Sequence, residues 1–279
     1  MPDKVSTDPS RPRVGFVGLG SQGGPMARRI VEAGFATTLW ARRPESLEPL
    51  ATQTATAGSL VELGRVSDLV AVCVVNDDDV RSVLLGPDGI LAGMGEGGLV
   101  AIHSTVHPET CRQVADSARP LGISVIDAPV SGGGRAAAAG NLLVLVGGDV
   151  ADLQRARPVL STYGNPVVHL GPLGSGQVAK LINNALMTAQ LGLADDALRV
   201  GAALELDAGA LAEALAHGSG ASFSLGVRSQ MPLSQFPAGD LLRKDVDILA
   251  SVAGSGGTDL GALRAAAEAA LGRVLPRGG

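Results

Sequence analysis

Cysteine, aromatic side chains and lysine are all scarce in this 279-residue chain, and each scarcity excludes something. Two cysteines, Cys73 and Cys111, leave no disulfide framework, so a reducing compartment fits and the cytoplasm is the expected location. They form no Cys-x-x-Cys, and the four histidines (His103, His107, His169, His217) share no metal-ligand spacing, so no metal site is expected. Aromatics are 2% of residues, which leaves Ala, Val and Leu to pack any core. No apolar run approaches the ~18–20 residues of a membrane span, so no membrane partner is expected. Residues 1–12 are polar and proline-interrupted, the expectation being a disordered tail and not a signal peptide. Basic residues number 22 against 27 acidic, a net charge of −5 with no long run of either sign. That balance speaks against nucleic acid as a partner, which needs a clustered basic surface. Only Lys4, Lys180 and Lys244 are lysines; every other basic residue is arginine. An internal lysine here raises the question of what arginine could not do in its place.

What the chain does have is 46% hydrophobic and only 18% charged residues, enough to bury a core and unlike a disordered segment. Its length allows one large domain or two modest ones. Glycine is abundant, 39 of 279 or about twice the ~7% average, without a collagen-like period. From Arg13 to about Gly171, short β-type runs alternate with helical stretches. Arg13–Val17, Thr37–Trp40, Leu69–Val75, Leu99–Ile102, Ser124–Ala128 and Leu142–Val146 read as strands, with Val167–Leu170 a further candidate. Pro25–Gly34 reads as a helix. Interleaving of this kind implies right-handed crossovers and a mostly parallel sheet. After Gly176 the texture turns helical: one long helix over Gln177–Leu204, then Ala208–Ala216 behind an Asp207 cap, Asp240–Ala253 and Thr258–Leu275. The expected organisation is an α/β domain over 13–174 and an all-α domain over 175–279.

The first strand runs into Gly18-Leu19-Gly20-Ser21-Gln22-Gly23, a GxGxxG that follows a strand and opens a helix. An ordinary turn is the alternative, but this context is what a dinucleotide site requires: a tight turn at Gly18, close backbone approach to the pyrophosphate at Gly20, and helix–strand packing at Gly23. The anion would sit on the positive end of the helix. The second strand ends Trp40-Ala41-Arg42-Arg43, where a ribose-binding carboxylate would otherwise stand. Arg42 and Arg43 are therefore either a 2′-phosphate site, favouring NADP(H) over NAD(H), or two solvated arginines on a turn. Ser131, Gly132 and Gly133 offer a hydroxyl and backbone N–H groups to a carboxylate, or else form a flexible turn. Thr105 follows another strand and is placed to line the nicotinamide side. Lys180 and Asn184, four apart on the long helix, share one face. A partly desolvated lysine can exchange a proton, whereas arginine cannot, and this would explain a lysine here; a surface lysine is the alternative.

Together these segments resemble the β-hydroxyacid dehydrogenase family in four ordered motifs spanning nearly the whole chain from Arg13. They are Gly18-Leu19-Gly20 through Met26-Ala27, Asp127-Ala128-Pro129-Val130-Ser131-Gly132-Gly133, Gly174-Ser175-Gly176-Gln177-Val178-Ala179-Lys180 through Asn184, and Lys244-Asp245. The resemblance implies a Rossmann-type N-terminal domain plus an all-α C-terminal domain, associated as a homodimer or homotetramer. It makes Lys180 the general acid/base and Asn184 a substrate-orienting amide. Ser131, Gly132 and Gly133 would hold a small-molecule carboxylate substrate, and Val74, Val75, Thr105 and Lys244 would lie near the cofactor. The chain departs from the family pattern in Gln22 where Met is usual, in Val74-Val75-Asn76 where a Leu-Pro pair is usual, and in a short helical half. The implied activity is hydride transfer between NADP(H) and a small hydroxy acid or its semialdehyde. Two other readings remain: an imine reductase of the same architecture, against which Lys180 speaks, and a non-catalytic dinucleotide-binding module. A sugar-phosphate enzyme of the 6-phosphogluconate type fits less well, because the helical half is small.

Overall fold

Runs of Val, Leu and Ile only four residues long are too short for helices and become strands buried on both faces. A computed structural model describes residues 11–274; most of the expected tail, residues 1–10, lies outside the described residues. In chain order the first unit contains β1 (Val14–Val17), α1 (Gly23–Glu32), β2 (Thr37–Trp40), β3 (Ala55–Thr56), α2 (Leu60–Arg65), β4 (Leu69–Val72), α3 (Asp77–Leu84), α4 (Ile90–Gly93), β5 (Leu99–Ile102) and α5 (Pro108–Ala118). It continues with β6 (Ser124–Asp127), β7 (Val130–Ser131), α6 (Gly133–Ala138), β8 (Leu142–Gly147), α7 (Val150–Leu160) and β9 (Gly164–Gly171). Strand order is β3-β2-β1-β4-β5-β6-β8-β7, with β9 beside β8. The strands from β3 to β6 are mutually parallel, and β8 runs antiparallel to β6 and β7. The order 3-2-1-4-5-6 is that of dinucleotide-binding doubly wound sheets, which bind ligands at the carboxyl ends where the order reverses, here between β1 and β4.

Alternation along each strand feeds two cores. Leu69 and Ala71 of β4 join Phe16, Met26, Ile30 and Leu39 on one face. Val70 and Val72 join Leu84, Val100, Ile102 and Val114 on the other. The chain's one tyrosine, Tyr163, is fully buried in the first of these cores.

The chain divides between Lys180 and Leu181. The division falls within α8 (Ser175–Ala203), and the start of that helix is hydrogen-bonded to the first unit. The second unit continues with α9 (Ala208–His217), α10 (Phe223–Gln230), α11 (Gly239–Ser255) and α12 (Gly261–Val274). Leu181, Ala185, Leu191, Leu242, Val246, Leu249 and Leu271 form its core. Arg273 bonds Asp195 and Asp196, and Arg228 also bonds Asp195, tying α8, α10 and α12 together. The α10 helix is not apparent in the hydrophobic pattern; Ser222 starts it by accepting the Leu225 N–H. The apolar run Leu69–Val75 leaves the sheet at Val72, so Cys73 to Val75 form a loop at the carboxyl end of β4.

Candidate active site

The turn after β1 is built by two glycines that have no alternative and one that does. Gly18 has φ +96°, and a Cβ there would strike the Cys73 carbonyl; a Cβ at Gly23 would strike the Gly18 carbonyl. Gly20 differs, since a Cβ there would meet nothing within 4 Å. Its bareness leaves room for something outside the chain, as a pyrophosphate cradle requires. No side chain caps α1 and its first turn holds no acidic residue, so the helix start suits an anion. Leu19 and Gln22 are half-buried, and Ser21 is exposed. Alongside, the Val74 N–H donates to Ser104 Oγ at 2.8 Å, joining the loops that follow β4 and β5. Val74 and Thr105 are half-buried on these loops, and Val75 is exposed. The residues present thus fit a dinucleotide at the carboxyl ends of β1, β4 and β5.

Arg42 and Arg43 are both exposed just beyond β2. The sequence shows no carboxylate at this strand end, but the fold brings one from α3: Asp79 Oδ1 lies 3.4 Å from Arg42 Nη1. Arg42 remains 80% exposed, so this pair is weak and open to exchange.

Ser131 closes β7, half-buried, and the exposed Gly132 and Gly133 follow with φ +129° and +71°. A Cβ on the next residue, Gly134, would strike the Ser21 carbonyl, so this segment lies against the glycine loop. Lys180 is buried, 8% exposed, in the early turns of α8. Asn184 is buried one turn later, in the second unit. There its Nδ2 donates to Asp245 Oδ2 at 2.6 Å, and Asn183 Nδ2 donates to Asn184 Oδ1 at 3.1 Å. Lys244 Nζ lies 3.3 Å from Asp245 Oδ1. Asn184 and Lys244 thus meet at one buried carboxylate, Asp245, whose part the sequence did not reveal beyond its place in a motif.

Three more residues were not legible as site components. Asp127, at the end of β6, is fully buried and accepts the N–H groups of Gly174 (2.6 Å) and Gln177 (2.7 Å). Burial pushes its carboxyl pKa up, and these backbone bonds pull against that shift. Gln177 in turn donates from Nε2 to the Ser104 carbonyl and accepts the Val106 N–H at Oε1. His103 is buried between the Ala128 carbonyl, 2.7 Å from Nδ1, and the Tyr163 hydroxyl, 3.0 Å from Nε2. The network assigns the proton to Nδ1, with Tyr163 donating to Nε2.

Burial lowers the His103 pKa to about 4, so the folded protein keeps this ring neutral where an unfolded chain would protonate it. Between about pH 6.5 and pH 4 the unfolded state binds the extra proton, and stability falls as pH drops. The expected contribution over that window is about 2–4 kcal/mol. Urea unfolding at pH 7 and pH 4.5 should show a shallower acid loss for His103→Asn than for the wild type; identical slopes would assign the loss elsewhere.

Among the described residues, no group of three or more His, Cys, Asp or Glu is placed to hold a metal ion, and no helix is long and apolar enough to cross a membrane.

Residues 13–171 match the family described as the NAD binding domain of 6-phosphogluconate dehydrogenase. Residues 174–274 match that described as NAD-binding of NADP-dependent 3-hydroxyisobutyrate dehydrogenase. The 3-hydroxyisobutyrate dehydrogenase of Pseudomonas aeruginosa is 36% identical over 264 residues, 90% of this chain and 89% of that protein. The NAD-dependent L-serine dehydrogenase of the same organism is 34% identical over 265 residues, with the same two coverages. The structure of Mycobacterium tuberculosis 3-hydroxyisobutyrate dehydrogenase with L-serine is similar at a TM-score of 0.82 and 27% identity, covering 92% of each chain. Matches of this extent, over a glycine loop and sheet order suited to a nicotinamide dinucleotide, make the chain an oxidoreductase that belongs to the β-hydroxyacid dehydrogenase family.

Proposed function

We propose that the protein transfers a hydride between NADP(H) and a small β-hydroxy acid or its semialdehyde, with Lys180 as general acid/base. The observation that carries this reading is a buried lysine, in a chain with only three lysines, on a helix bonded to the end of β6 and the loop after β5. Both named relatives act on compounds with a carboxylate and a primary alcohol two carbons away, and that class is taken over here.

Bound nicotinamide supplies or takes up the hydride. The Lys180 ammonium donates a proton to the carbonyl oxygen during reduction, and its neutral amine takes the hydroxyl proton during oxidation. Ser131 Oγ and the N–H groups of Gly132 and Gly133 hold the substrate carboxylate, and Asn184 orients the substrate. Gly18, Leu19, Gly20, Ser21, Gln22 and Gly23 cradle the pyrophosphate. Val74, Val75 and Thr105 line the nicotinamide side, Lys244 lies near the cofactor, and Arg42 with Arg43 takes the 2′-phosphate. NAD(H) is the competing cofactor, given the NAD-dependent relative. On this reading residues 13–174 serve the cofactor, and 175–279 serve the substrate and self-association.

Purified protein offered NADPH or NADH should reduce methylmalonate semialdehyde, succinic semialdehyde or glyoxylate, or oxidise 3-hydroxyisobutyrate or L-serine. Turnover of cyclic imines alone would replace this reading with that of an imine reductase. Cofactor binding without any turnover would leave a dinucleotide-binding module.

Self-association as a homodimer or homotetramer is supported by one face of α8. Ile182, Leu186, Leu193 and Val200 are exposed at spacings of four and seven, which keep them on one stripe, and the exposed Leu204 follows just past the helix end. Leu193, 60% exposed, sits at its middle. Leu193→Glu should leave the circular dichroism spectrum unchanged and shift the sedimenting species to the monomer. A wild type that sediments as a monomer would rule the oligomer out.

A further inference from the structure

The structure assigns to Asp127 and Gln177 a positioning role: together they latch the first turn of the helix carrying Lys180 onto the loops that hold substrate and nicotinamide. This inference rests on Lys180 being the acid/base group. The geometry is specific. Asp127 is the last residue of β6, and the chain passes from it through Ala128-Pro129-Val130 to Ser131-Gly132-Gly133. One carboxylate oxygen accepts the Gly174 N–H just before α8, and the other accepts the Gln177 N–H within its first turn. The Gln177 side chain then clasps the loop after β5 on both sides of Thr105, donating to the Ser104 carbonyl and accepting the Val106 N–H. Lys180 follows Gln177 by three residues, about one helical turn. Both latch residues are fully buried, so neither serves solubility or surface charge.

The surroundings are shaped for the carboxylate. A Cβ at Gly147 would collide with Asp127 Oδ1, and a Cβ at Gly176 would stand 2.7 Å from Oδ2. The absence of a Cβ at these glycines, on β8 and α8, leaves room for the carboxylate where it accepts its two N–H groups. An acceptor-only carboxylate satisfies both N–H groups. An amide of the same shape satisfies one and turns an NH2 donor towards the other.

Asp127→Asn is therefore expected to lower kcat by about 10–100-fold, the scale of a displacement near 1 Å at the reacting atoms. Cofactor affinity, measured by nicotinamide fluorescence, should stay unchanged, and so should the position of the limb in the pH profile of kcat, since Asp127 is not the proton carrier. Gln177→Met keeps both backbone bonds to Asp127, cuts the clasp on the β5 loop, and should lower kcat on the same scale with the pH limb unmoved; it reports on the latch even where Asp127→Asn folds poorly. A lower Tm with wild-type kcat per cofactor-binding site, in either variant, would overturn the positioning role. So would a kcat limb that moves with Asp127→Asn, because Asp127 would then titrate in turnover. Lys180→Ala run in parallel separates the two ideas. Full activity in that variant defeats the parent reading, whereas an inactive Lys180→Ala beside a fully active Asp127→Asn defeats the latch alone.

Discussion

Replacing Lys180 with alanine is expected to lower kcat by about 10²–10⁴-fold, the usual contribution of a positioned proton donor. Cofactor affinity should survive, because the glycine loop that receives the pyrophosphate follows β1, and its shape is set by Gly18 and Gly23 against backbone carbonyls, without Lys180. The informative companion is Lys180→Arg. Arginine keeps the positive charge and much of the length, but its guanidinium does not give up a proton at working pH. Loss of turnover in both variants identifies proton transfer as the role. Near-normal turnover in the arginine variant would reduce Lys180 to an anchor for an anion. Full turnover in the alanine variant would remove the acid/base mechanism and bring the imine-reductase reading forward. The measurement is steady-state kcat on the best substrate, with cofactor dissociation constants taken separately so that binding and chemistry are not confused.

The parts of this site that were legible in the sequence are the local ones. Gly18 to Gly23 can be read because a strand, a turn and a helix start lie within a few residues, although only Gly23 packs on a close neighbour, Gly18, while Gly18 itself faces the distant Cys73 carbonyl. The sheet can be read because strands buried on both faces appear as unbroken apolar runs, such as Leu69–Val72. Their parallel pairing follows from the helices between them. What stayed hidden depends on contacts between residues far apart. Asp127 meets Gly174 and Gln177 across separations of 47 and 50 residues. His103 meets Tyr163 across 60. The available signals were chemical and not positional: a carboxylate closing the strand Ser-Val-Ile-Asp, and the chain's one tyrosine. A buried charge or hydroxyl needs partners, so each such residue announces a network without saying where it leads. The α10 helix was hidden for another reason. Its sequence, Phe-Ser-Leu-Gly-Val-Arg-Ser-Gln, is short and weakly patterned, and only its Ser222 cap marks it.

Replacing both Arg42 and Arg43 with alanine is expected to weaken NADPH binding by about a hundredfold while leaving NADH binding nearly unchanged, since each charge-assisted bond lost is about 1.5–3 kcal/mol, or roughly tenfold or more in affinity. The carboxylate of Asp79, 3.4 Å from Arg42, is the one complication the fold introduces. It does not cancel the expectation. With Arg42 80% exposed, a pair of this kind contributes only about 0–1 kcal/mol, so Arg42 can turn to a phosphate at little cost. Asp79 still places negative charge beside Arg42, the side chain proposed to take the 2′-phosphate. Asp79→Asn should therefore tighten NADPH binding modestly and leave NADH alone, the opposite sign from the arginine variant. Fluorescence titration with both cofactors decides the matter. Equal losses for NADPH and NADH in the double variant would mean that the arginines contact a part common to both, and the preference for NADP(H) would fall with them.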